Sequence, residues 1–248
     1  MRPGNRIASV LLTRSAGENA RTAPFFEARG FTVYSVPMVE LRPIPKDACG
    51  VRQVRRLAGG EPVLLTSAFA ADQWLDLRET DFHEHAPAAY YVVGERSAAL
   101  LREGDPDVPI AACEGSAEEL ATDAFAGVHR LLYPCSTEHR DELPARLRAA
   151  GVEVIEMPIY SPVLPTAAGS LLPRTIAAMD APFAVAFFSP SAVRNFFALA
   201  PDVPPSTIFC AIGTTTAEAL RHQGAAPAVI AAHPSAQALA EALAAQSS

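Results

Sequence analysis

The 248-residue chain lacks the residues and motifs that several common enzyme classes require. It has a single lysine, Lys46, and no G-x-x-x-x-G-K segment, which argues against both a Walker phosphate loop and Schiff-base chemistry. The segments G-x-G-x-x-G, G-x-S-x-G and H-E-x-x-H are also absent, so the common signatures of dinucleotide binding, serine hydrolysis and zinc proteolysis are missing. The four cysteines are widely spaced and form no C-x-x-C pair. We therefore interpret them as small apolar residues rather than as parts of a zinc site or a disulfide framework. They are Cys49, Cys113, Cys135 and Cys210.

Positive charge and long apolar runs are scarce as well. The net charge of −7 argues against the basic face that nucleic-acid binding needs. No apolar run approaches the roughly 20 residues that cross a membrane, and the apolar part of the first fourteen residues is too short for a secretion signal. We therefore expect a cytoplasmic protein with neither nucleic acid nor membrane as a partner. Half of the residues are hydrophobic, which suffices for one sizeable core or two smaller ones.

The segment TIFCAIGTTTAEAL, residues 207–220, combines three signals. An apolar run is broken by Gly213, and Thr215 and Glu218 then have the spacing of a capping box. This pattern predicts a strand, a tight turn and a helix that begins at Thr216. Such a turn leaves backbone N–H groups and hydroxyls at one point, which favours an anion. A turn followed by an ordinary helix cap is the alternative interpretation.

Strands and helices alternate along the whole chain. Predicted strands cover 10–13, 31–36, 39–41, 62–65, 88–93, 110–112, 131–133, 152–157, 183–188 and 228–231. Between most of them the apolar spacing predicts helices, although none is predicted between 157 and 183. Several of these helices follow a serine or a glycine, as after Ser15, Ser189 and Ser235. Another helix, holding Leu120 and Phe125, is predicted after a cap formed by Ser116 and Glu119.

The chain also contains an internal duplication. EARGFTVYSVPM, from residue 27, aligns with RAAGVEVIEMPI, from residue 148, and the two glycines coincide. Ser67 likewise aligns with Ser189, and Gly94 with Gly213. We predict an α/β fold made of two similar doubly wound units with parallel sheets. From the duplication alone, the boundary between the two units would fall near residue 128.

Ligands of such sheets bind beyond the carboxyl ends of the strands. The residues there are mostly hydroxyls and backbone donors, which suits a large polyanion, although a series of ordinary helix caps would look the same. The pair His83 and His85 is more typical of an exposed turn than of a metal site. We interpret His139, His222 and His233 as structural or solvated, and leave open whether Arg140 and Arg146 bind anions.

Seven segments carry a resemblance to a known family. In order they are VLLTR at 10–14, LLTS at 64–67, VVG at 92–94, MPIY at 157–160, FFSPSAV at 187–193, AIGTTTAEAL at 211–220 and HPSAQALAEAL at 233–243. Each is weak alone, but their order and spacing resemble those of the uroporphyrinogen-III synthase family over nearly the whole chain. The resemblance implies an enzyme of tetrapyrrole, or haem, biosynthesis.

The resemblance also implies two α/β domains joined by a two-stranded β linker, with the substrate in the cleft. Domain 1 would be discontinuous, with residues 1–36 and 165–248, and domain 2 would be 43–157. Residues 37–42 and 158–164 would be the linker strands. This division replaces the plain split near residue 128. A monomer is expected, with at most a transient contact with the enzyme that makes its substrate.

The implied reaction closes hydroxymethylbilane to uroporphyrinogen III, with inversion of ring D and loss of water. It would make the protein a lyase, with no metal or organic cofactor. Tyr160 would be the general acid for the departing hydroxyl, although it could instead anchor the linker. The implied substrate-binding residues are Arg14, Ser15, Ser67, Gly94, Ser97, Ser189, Ser191, Gly213, Thr214, Thr215 and Thr216. A non-enzymatic, two-domain protein that binds or senses a tetrapyrrole is the alternative.

Three residues depart from the pattern of the family. Cys135 stands where many relatives have arginine, Phe69 where asparagine is common, and Ser97 where threonine is frequent. We expect all three to touch the cleft, so binding roles within residues 66–140 are less secure than those within 187–216.

Overall fold

A computed structural model describes residues 7–45, 60–80, 86–139 and 141–247. Several residues singled out above lie outside these ranges, namely Lys46, Cys49, His83, His85 and Arg140. The contacts divide the chain into two compact units, one made of 1–40 with 163–248 and the other of 41–162. The plain split near residue 128 is therefore wrong, while the domain and linker boundaries given above stay predictions.

The chain alternates between strands and helices. The strands are β1 (Ser9–Leu12), β2 (Thr32–Ser35), β3 (Glu40–Pro43), β4 (Val63–Leu65), β5 (Tyr90–Val93), β6 (Ile110–Glu114), β7 (Arg130–Ser136), β8 (Glu153–Val163), β9 (Phe183–Phe187), β10 (Ile208–Ala211) and β11 (Val229–Ile230). The helices are α1 (Ala16–Glu27), α2 (Ala68–Thr80), α3 (Glu95–Gly104), α4 (Glu142–Ala149), α5 (Ala168–Ala177), α6 (Pro190–Ala198), α7 (Thr214–His222) and α8 (Ala236–Gln246), with a 3₁₀ helix at Thr122–Phe125. Among the helices of the described ranges, none could cross a membrane.

Each unit is built on one sheet, and the two sheets share an order. The first sheet runs β11-β10-β9-β1-β2, and the second runs β3-β8-β7-β4-β5-β6. Read in reverse, the second sheet contains β6-β5-β4-β7-β8, which matches β11-β10-β9-β1-β2 strand by strand, with β3 as an additional edge strand. The two central pairs, β9 with β1 and β4 with β7, are both parallel. The predicted α/β fold with parallel sheets is confirmed, and the common order agrees with the duplication.

Alternation along the strands gives each sheet two buried faces. In β1, Leu11 packs in one apolar cluster while Val10 and Leu12 pack in another. In the second unit, Leu65 and Leu64 divide in the same way between two clusters. Because helices cover both faces, β1, β4, β9 and β10 are almost wholly apolar, and polar residues appear where these strands end.

The aligned glycines end equivalent helices. Gly30 and Gly151 have φ of 83° and 87°, a left-handed conformation that glycine adopts without strain. In both places the residue after the glycine donates its N–H to the carbonyl five positions earlier, from Phe31 to Phe26 and from Val152 to Leu147. This is the Schellman ending of a helix, and it turns the chain into β2 and β8.

Two local expectations are wrong, and one helix was missed. Helix α7 begins at Thr214 rather than Thr216, because extended Gly213 is its N-cap and the Gly213 carbonyl accepts the Ala217 N–H. Ser116 and Glu119 do bond each other reciprocally, yet they close a turn and only the 3₁₀ helix follows. Helix α5 was not predicted, since Ala167 gives no side-chain cap and Pro173 lies inside it.

Candidate functional site

A cavity of about 360 Å³ opens at the carboxyl ends of β4 and β7 and beside β8, within the second unit. Its volume is at the lower end of the roughly 300–1,000 Å³ of ligand pockets. The lining combines phenols, hydroxyls, a histidine and charged groups. It consists of Thr66, Ser67, Val93, Ala117, Glu118, Tyr133, Ser136, Glu138, His139, Glu142, Leu143, Arg146 and Tyr160.

Tyr160, the predicted general acid, lines this cavity next to a predicted binding residue. Its phenol oxygen lies 3.0 Å from the Ser67 hydroxyl, which also accepts the Ala70 N–H at the start of α2. The rings of Phe69 and Tyr160 pack edge to face, with their centres 4.9 Å apart. Burial raises the pKa of Tyr160, and the Ser67 hydrogen bond only partly opposes this rise. The phenol therefore stays protonated at neutral pH and can donate a proton or a hydrogen bond.

A second phenol, Tyr133, was not found from the sequence. Its hydroxyl lies 3.1 Å from Thr66 Oγ1, and its ring meets that of His139 at a centre distance of 5.4 Å. Burial raises the pKa of Tyr133 to about 12, and Thr66 opposes the rise. Its partner Thr66 is 67 positions away in the chain, so no local pattern joins the two residues. The one signal in the sequence was the place of Tyr133 in an apolar strand that ends at Ser136.

Strand alternation explains why two phenol–hydroxyl pairs form. Tyr160 belongs to the apolar cluster of one sheet face and Tyr133 to the cluster of the other. Thr66 and Ser67 directly follow β4, and consecutive residues of an extended chain point to opposite sides. Thr66 therefore meets Tyr133 and Ser67 meets Tyr160, so both faces contribute a phenol to one sheet edge.

The charged residues around the cavity are largely paired. Arg146 donates to the carbonyls of Ala117, Glu118 and Leu120, so it fixes the turn that follows β6. His139 holds the Ser136 carbonyl through Nδ1 at 3.0 Å, and its Nε2 lies 3.4 Å from a Glu156 oxygen.

Within the described ranges, one group of three possible metal ligands occurs, formed by His139, Asp141 and Glu156. Arg148 forms ion pairs with both of its carboxylates. A fixed cation therefore already compensates the negative charge of this group.

Three residues that we expect near the substrate do not line this cavity. Ser97 is 1% exposed and donates to the Val93 carbonyl at 2.9 Å, so its hydroxyl serves the start of α3. Cys135 is buried in the apolar cluster beneath the cavity and does not line it. The expectation that Ser97 and Cys135 are cleft residues is not met in this cavity. Gly94 does not line it either and, with φ of 85°, turns the chain from β5 into α3.

The first unit presents its own set of polar groups where β1 and β9 end. Arg14 is paired with Glu18 at 2.6 Å and donates to the Thr22 hydroxyl, while its guanidinium lies 5.0 Å from the centre of the Phe188 ring. Burial lowers the pKa of Arg14, and the Glu18 charge opposes this. Buried Asn19 organises the edge, because its side-chain amide bonds Leu12, Arg14 and Ser35.

The remaining predicted hydroxyls follow β9, β10 and β1. Ser189 caps α6 by accepting the Ala192 N–H at 3.2 Å, and its oxygen lies 3.1 Å from that of Ser191. Thr214 and Thr215 are exposed in the first turn of α7, whereas Thr216 is buried. Ser15 takes the N-cap position of α1 without a side-chain cap bond. Helix starts at the ends of β9 and β10 thus supply donors for an anion.

Comparison with known proteins decides the family. The family described as uroporphyrinogen-III synthase HemD matches residues 20–241. The chain belongs to the uroporphyrinogen-III synthase family. The family predicted from the seven sequence segments is thereby confirmed, and with it that the chain is an enzyme.

A curated relative agrees with this assignment, and two solved structures share the fold. The chain is 29% identical over 202 residues to a uroporphyrinogen-III synthase of Synechococcus elongatus, covering 76% of this chain and 73% of the relative. The fold resembles that of a uroporphyrinogen-III synthetase from Helicobacter pylori, with 18% identity, a TM-score of 0.60 and coverage of 95% and 97% of the two chains. A mutant uroporphyrinogen III synthase from Thermus thermophilus gives 19% identity, a TM-score of 0.56 and coverage of 97% and 100%.

Proposed function

We propose that the protein closes hydroxymethylbilane to uroporphyrinogen III, with inversion of ring D and loss of water, as a step of tetrapyrrole biosynthesis. In this reaction it is a lyase. Tyr160 is the general acid that protonates the departing hydroxyl. The substrate is one long, flexible polycarboxylate, and the enzyme directs which of two ring closures occurs.

The observation that carries the proposal is the Tyr160 phenol in a cavity at the ends of β4 and β7, 3.0 Å from Ser67. Ser67 accepts the Ala70 N–H, and its own proton can be donated to the phenol oxygen. Tyr160 can then direct its proton towards a bound hydroxymethyl group. A neutral phenol within hydrogen-bond reach of a leaving group is a competent general acid.

The carboxylates of the substrate require donors. Arg14, Ser189 and the first turn of α7 are the groups that we assign to them, because unpaired N–H groups at helix starts attract anions. In the cavity around Tyr160, Arg146 is already engaged by three backbone carbonyls, and the remaining polar lining includes the two phenols and the hydroxyls of Thr66, Ser67 and Ser136. We therefore assign that cavity to the reacting pyrrole and its hydroxymethyl group.

Three further features belong to the proposal. The reaction needs no metal or organic cofactor, since acid catalysis and positioning of the chain lower the barrier. We expect a cytoplasmic monomer. Its substrate reacts spontaneously, so a transient contact with the enzyme that makes the bilane would limit loss of the free compound.

The test is an assay with freshly generated hydroxymethylbilane, after which the products are oxidised and the uroporphyrin isomers I and III are separated. Mostly isomer III, in proportion to the protein added, is the expected result. Isomer I alone, formed at the rate seen without protein, would exclude the synthase. Tight tetrapyrrole binding without turnover would instead identify a binding or sensor protein.

A further inference from the structure

The cavity of the second unit holds two buried phenols, and the general-acid step proposed above uses only one of them, Tyr160. Tyr160 is 7% exposed and Tyr133 is 3% exposed, and both line the cavity. Each is bonded to a hydroxyl of the dipeptide that follows β4, Tyr133 to Thr66 and Tyr160 to Ser67. A buried hydroxyl costs free energy unless it is hydrogen-bonded, so an apolar ring would be the simpler occupant of either position.

Tyr133 is held from two sides. Thr66 fixes its oxygen, and His139 packs against its ring. His139 is in turn held by the Ser136 carbonyl and lies close to Glu156. The phenol oxygen therefore has a defined position at the cavity wall before any ligand arrives, which is the geometry that hydrogen bonding to a transition state requires.

The two phenols also share an electrostatic environment. The ionised form of Tyr160 is among the causes that raise the pKa of Tyr133, after burial. Because that pKa is raised to about 12, Tyr133 remains a neutral donor throughout the range in which the enzyme would work. Like Tyr160, Tyr133 therefore keeps its proton and can donate a hydrogen bond.

We propose that Tyr133 is a second substrate-contacting residue, which donates a hydrogen bond to the departing hydroxyl oxygen while Tyr160 protonates it. This inference rests on the proposed function and adds a residue to it. Thr66 is then a positioning residue, because it acts only through the Tyr133 hydroxyl.

The step balances without another reactant. The C–O bond of the hydroxymethyl group breaks, its electron pair leaves with the oxygen, and the Tyr160 proton completes a water molecule. The pyrrole attached to that carbon carries the electron deficiency until ring D bonds to the carbon. Inversion of ring D then breaks the C–C bond that joined ring D to its original neighbour, and this neighbour carries the deficiency until the final C–C bond forms. The carbon that makes the final bond loses a proton, which restores Tyr160. Tyr133 stabilises the charge growing on the oxygen and returns unchanged.

The experiment compares Tyr133→Phe with wild type in the isomer assay, measuring kcat and KM for hydroxymethylbilane. We expect kcat to fall roughly 3- to 10-fold, the worth of one hydrogen bond in the transition state, with little change in KM. Thr66→Val should also lower kcat, because Tyr133 loses its hydrogen-bond partner. Thr66→Ser keeps a hydroxyl, so its kcat should return to that of wild type. Thermal melts of all variants test whether they remain folded.

Tyr91→Phe is the matched control. Tyr91 is a buried tyrosine of the same apolar cluster as Tyr133 and stacks on Phe125, but it does not line the cavity. Its kcat should equal that of wild type. A double variant, Tyr133→Phe with Tyr160→Phe, should lose less than the product of the two single effects, because both residues act on one oxygen.

The outcomes separate the two proposals. If wild type makes no isomer III, the synthase reaction and this inference both fail. If wild type makes isomer III and folded Tyr133→Phe keeps its kcat, Tyr133 is a packing residue and only this inference is overturned. A rise in KM with unchanged kcat would also overturn it, since Tyr133 would then bind the substrate uniformly instead of assisting the departure of the hydroxyl.

Discussion

At the residue scale, the site depends on the direction in which the Tyr160 proton points. Ser67 accepts from the Ala70 N–H and keeps one proton to donate. If that proton goes to the phenol oxygen, the Tyr160 proton is free for the substrate.

We expect Tyr160→Phe to lower kcat for isomer III at least about 10-fold, a threshold below the roughly 10²- to 10⁴-fold that a general acid typically contributes. The ring remains, so its contact with Phe69 and the thermal melt should hardly change. Tyr91→Phe again provides the control for the loss of a buried phenol outside the cavity. Near-normal kcat in folded Tyr160→Phe would remove this residue from the mechanism.

The pH dependence of kcat tests the same contact. Tyr160 acts as an acid only while protonated, so its contribution is complete well below its raised pKa and disappears as the pH rises through that value. The Ser67 hydrogen bond lowers this pKa, although burial outweighs it.

Ser67→Ala should therefore move the alkaline limb of the kcat profile to higher pH, besides lowering the rate at neutral pH. Ser67→Thr keeps the hydroxyl and should leave the limb in place. A limb that moves to lower pH in Ser67→Ala would contradict the assigned hydrogen bond. Stability must be measured alongside, because Ser67 also caps α2.

At the scale of the element, three serines at helix starts make a controlled comparison. Ser189 and Ser235 each accept a backbone N–H three residues on, at 3.2 and 3.1 Å, whereas Ser15 occupies the N-cap of α1 with no such bond.

Ser189→Ala and Ser235→Ala should each lower the free energy of unfolding by about 1 kcal/mol, which corresponds to a fall in Tm of roughly 2–4 °C. Ser15→Ala should have little effect on either quantity. Steady-state kinetics separate the two caps, since only Ser189→Ala should also raise KM for the bilane. Equal stability losses in all three variants would mean that the caps do not distinguish these helices.

Elements with a local signal could be predicted from the sequence, and those without one could not. Serine caps located the starts of α6 and α8, and glycines located the ends of α1 and α4. Helix α5 begins after Ala167 without a side-chain cap and contains Pro173, so the helical spacing of Ala168 and Leu172, which pack in the core, is its only local signal.

The residues of the site likewise divide into those with a signal in the sequence and those without one. Ser67 and Tyr160 lie in segments with family resemblance, and the structure brings them together. Tyr133 could not be found because its pairing with Thr66 depends on the adjacency of β4 and β7. The resemblance implies that Ser97 binds substrate, yet its hydroxyl donates to the Val93 carbonyl at the start of α3, because short polar side chains near helix starts readily bond the backbone.

At the scale of the whole molecule, one sheet order is reached by two routes along the chain. In the first unit, β1 and β2 come from the start of the chain and β9, β10 and β11 from its end, while the second unit is continuous from 41 to 162. The duplication therefore does not coincide with the folding units. A cut near residue 128 would separate β1 from β9 and β4 from β7, the central pairs of both sheets.

Isolated fragments can test this division. A fragment of residues 41–162 retains all buried residues of the two apolar clusters that sandwich the second sheet, so we expect it to melt cooperatively by circular dichroism. The fragments 1–128 and 129–248 are similar in length, but each has only part of both sheets and leaves strand edges and apolar faces exposed. We expect them to aggregate or to melt without a cooperative transition. A cooperative melt of 1–128 together with a non-cooperative melt of 41–162 would restore the plain tandem arrangement and contradict the discontinuous first unit.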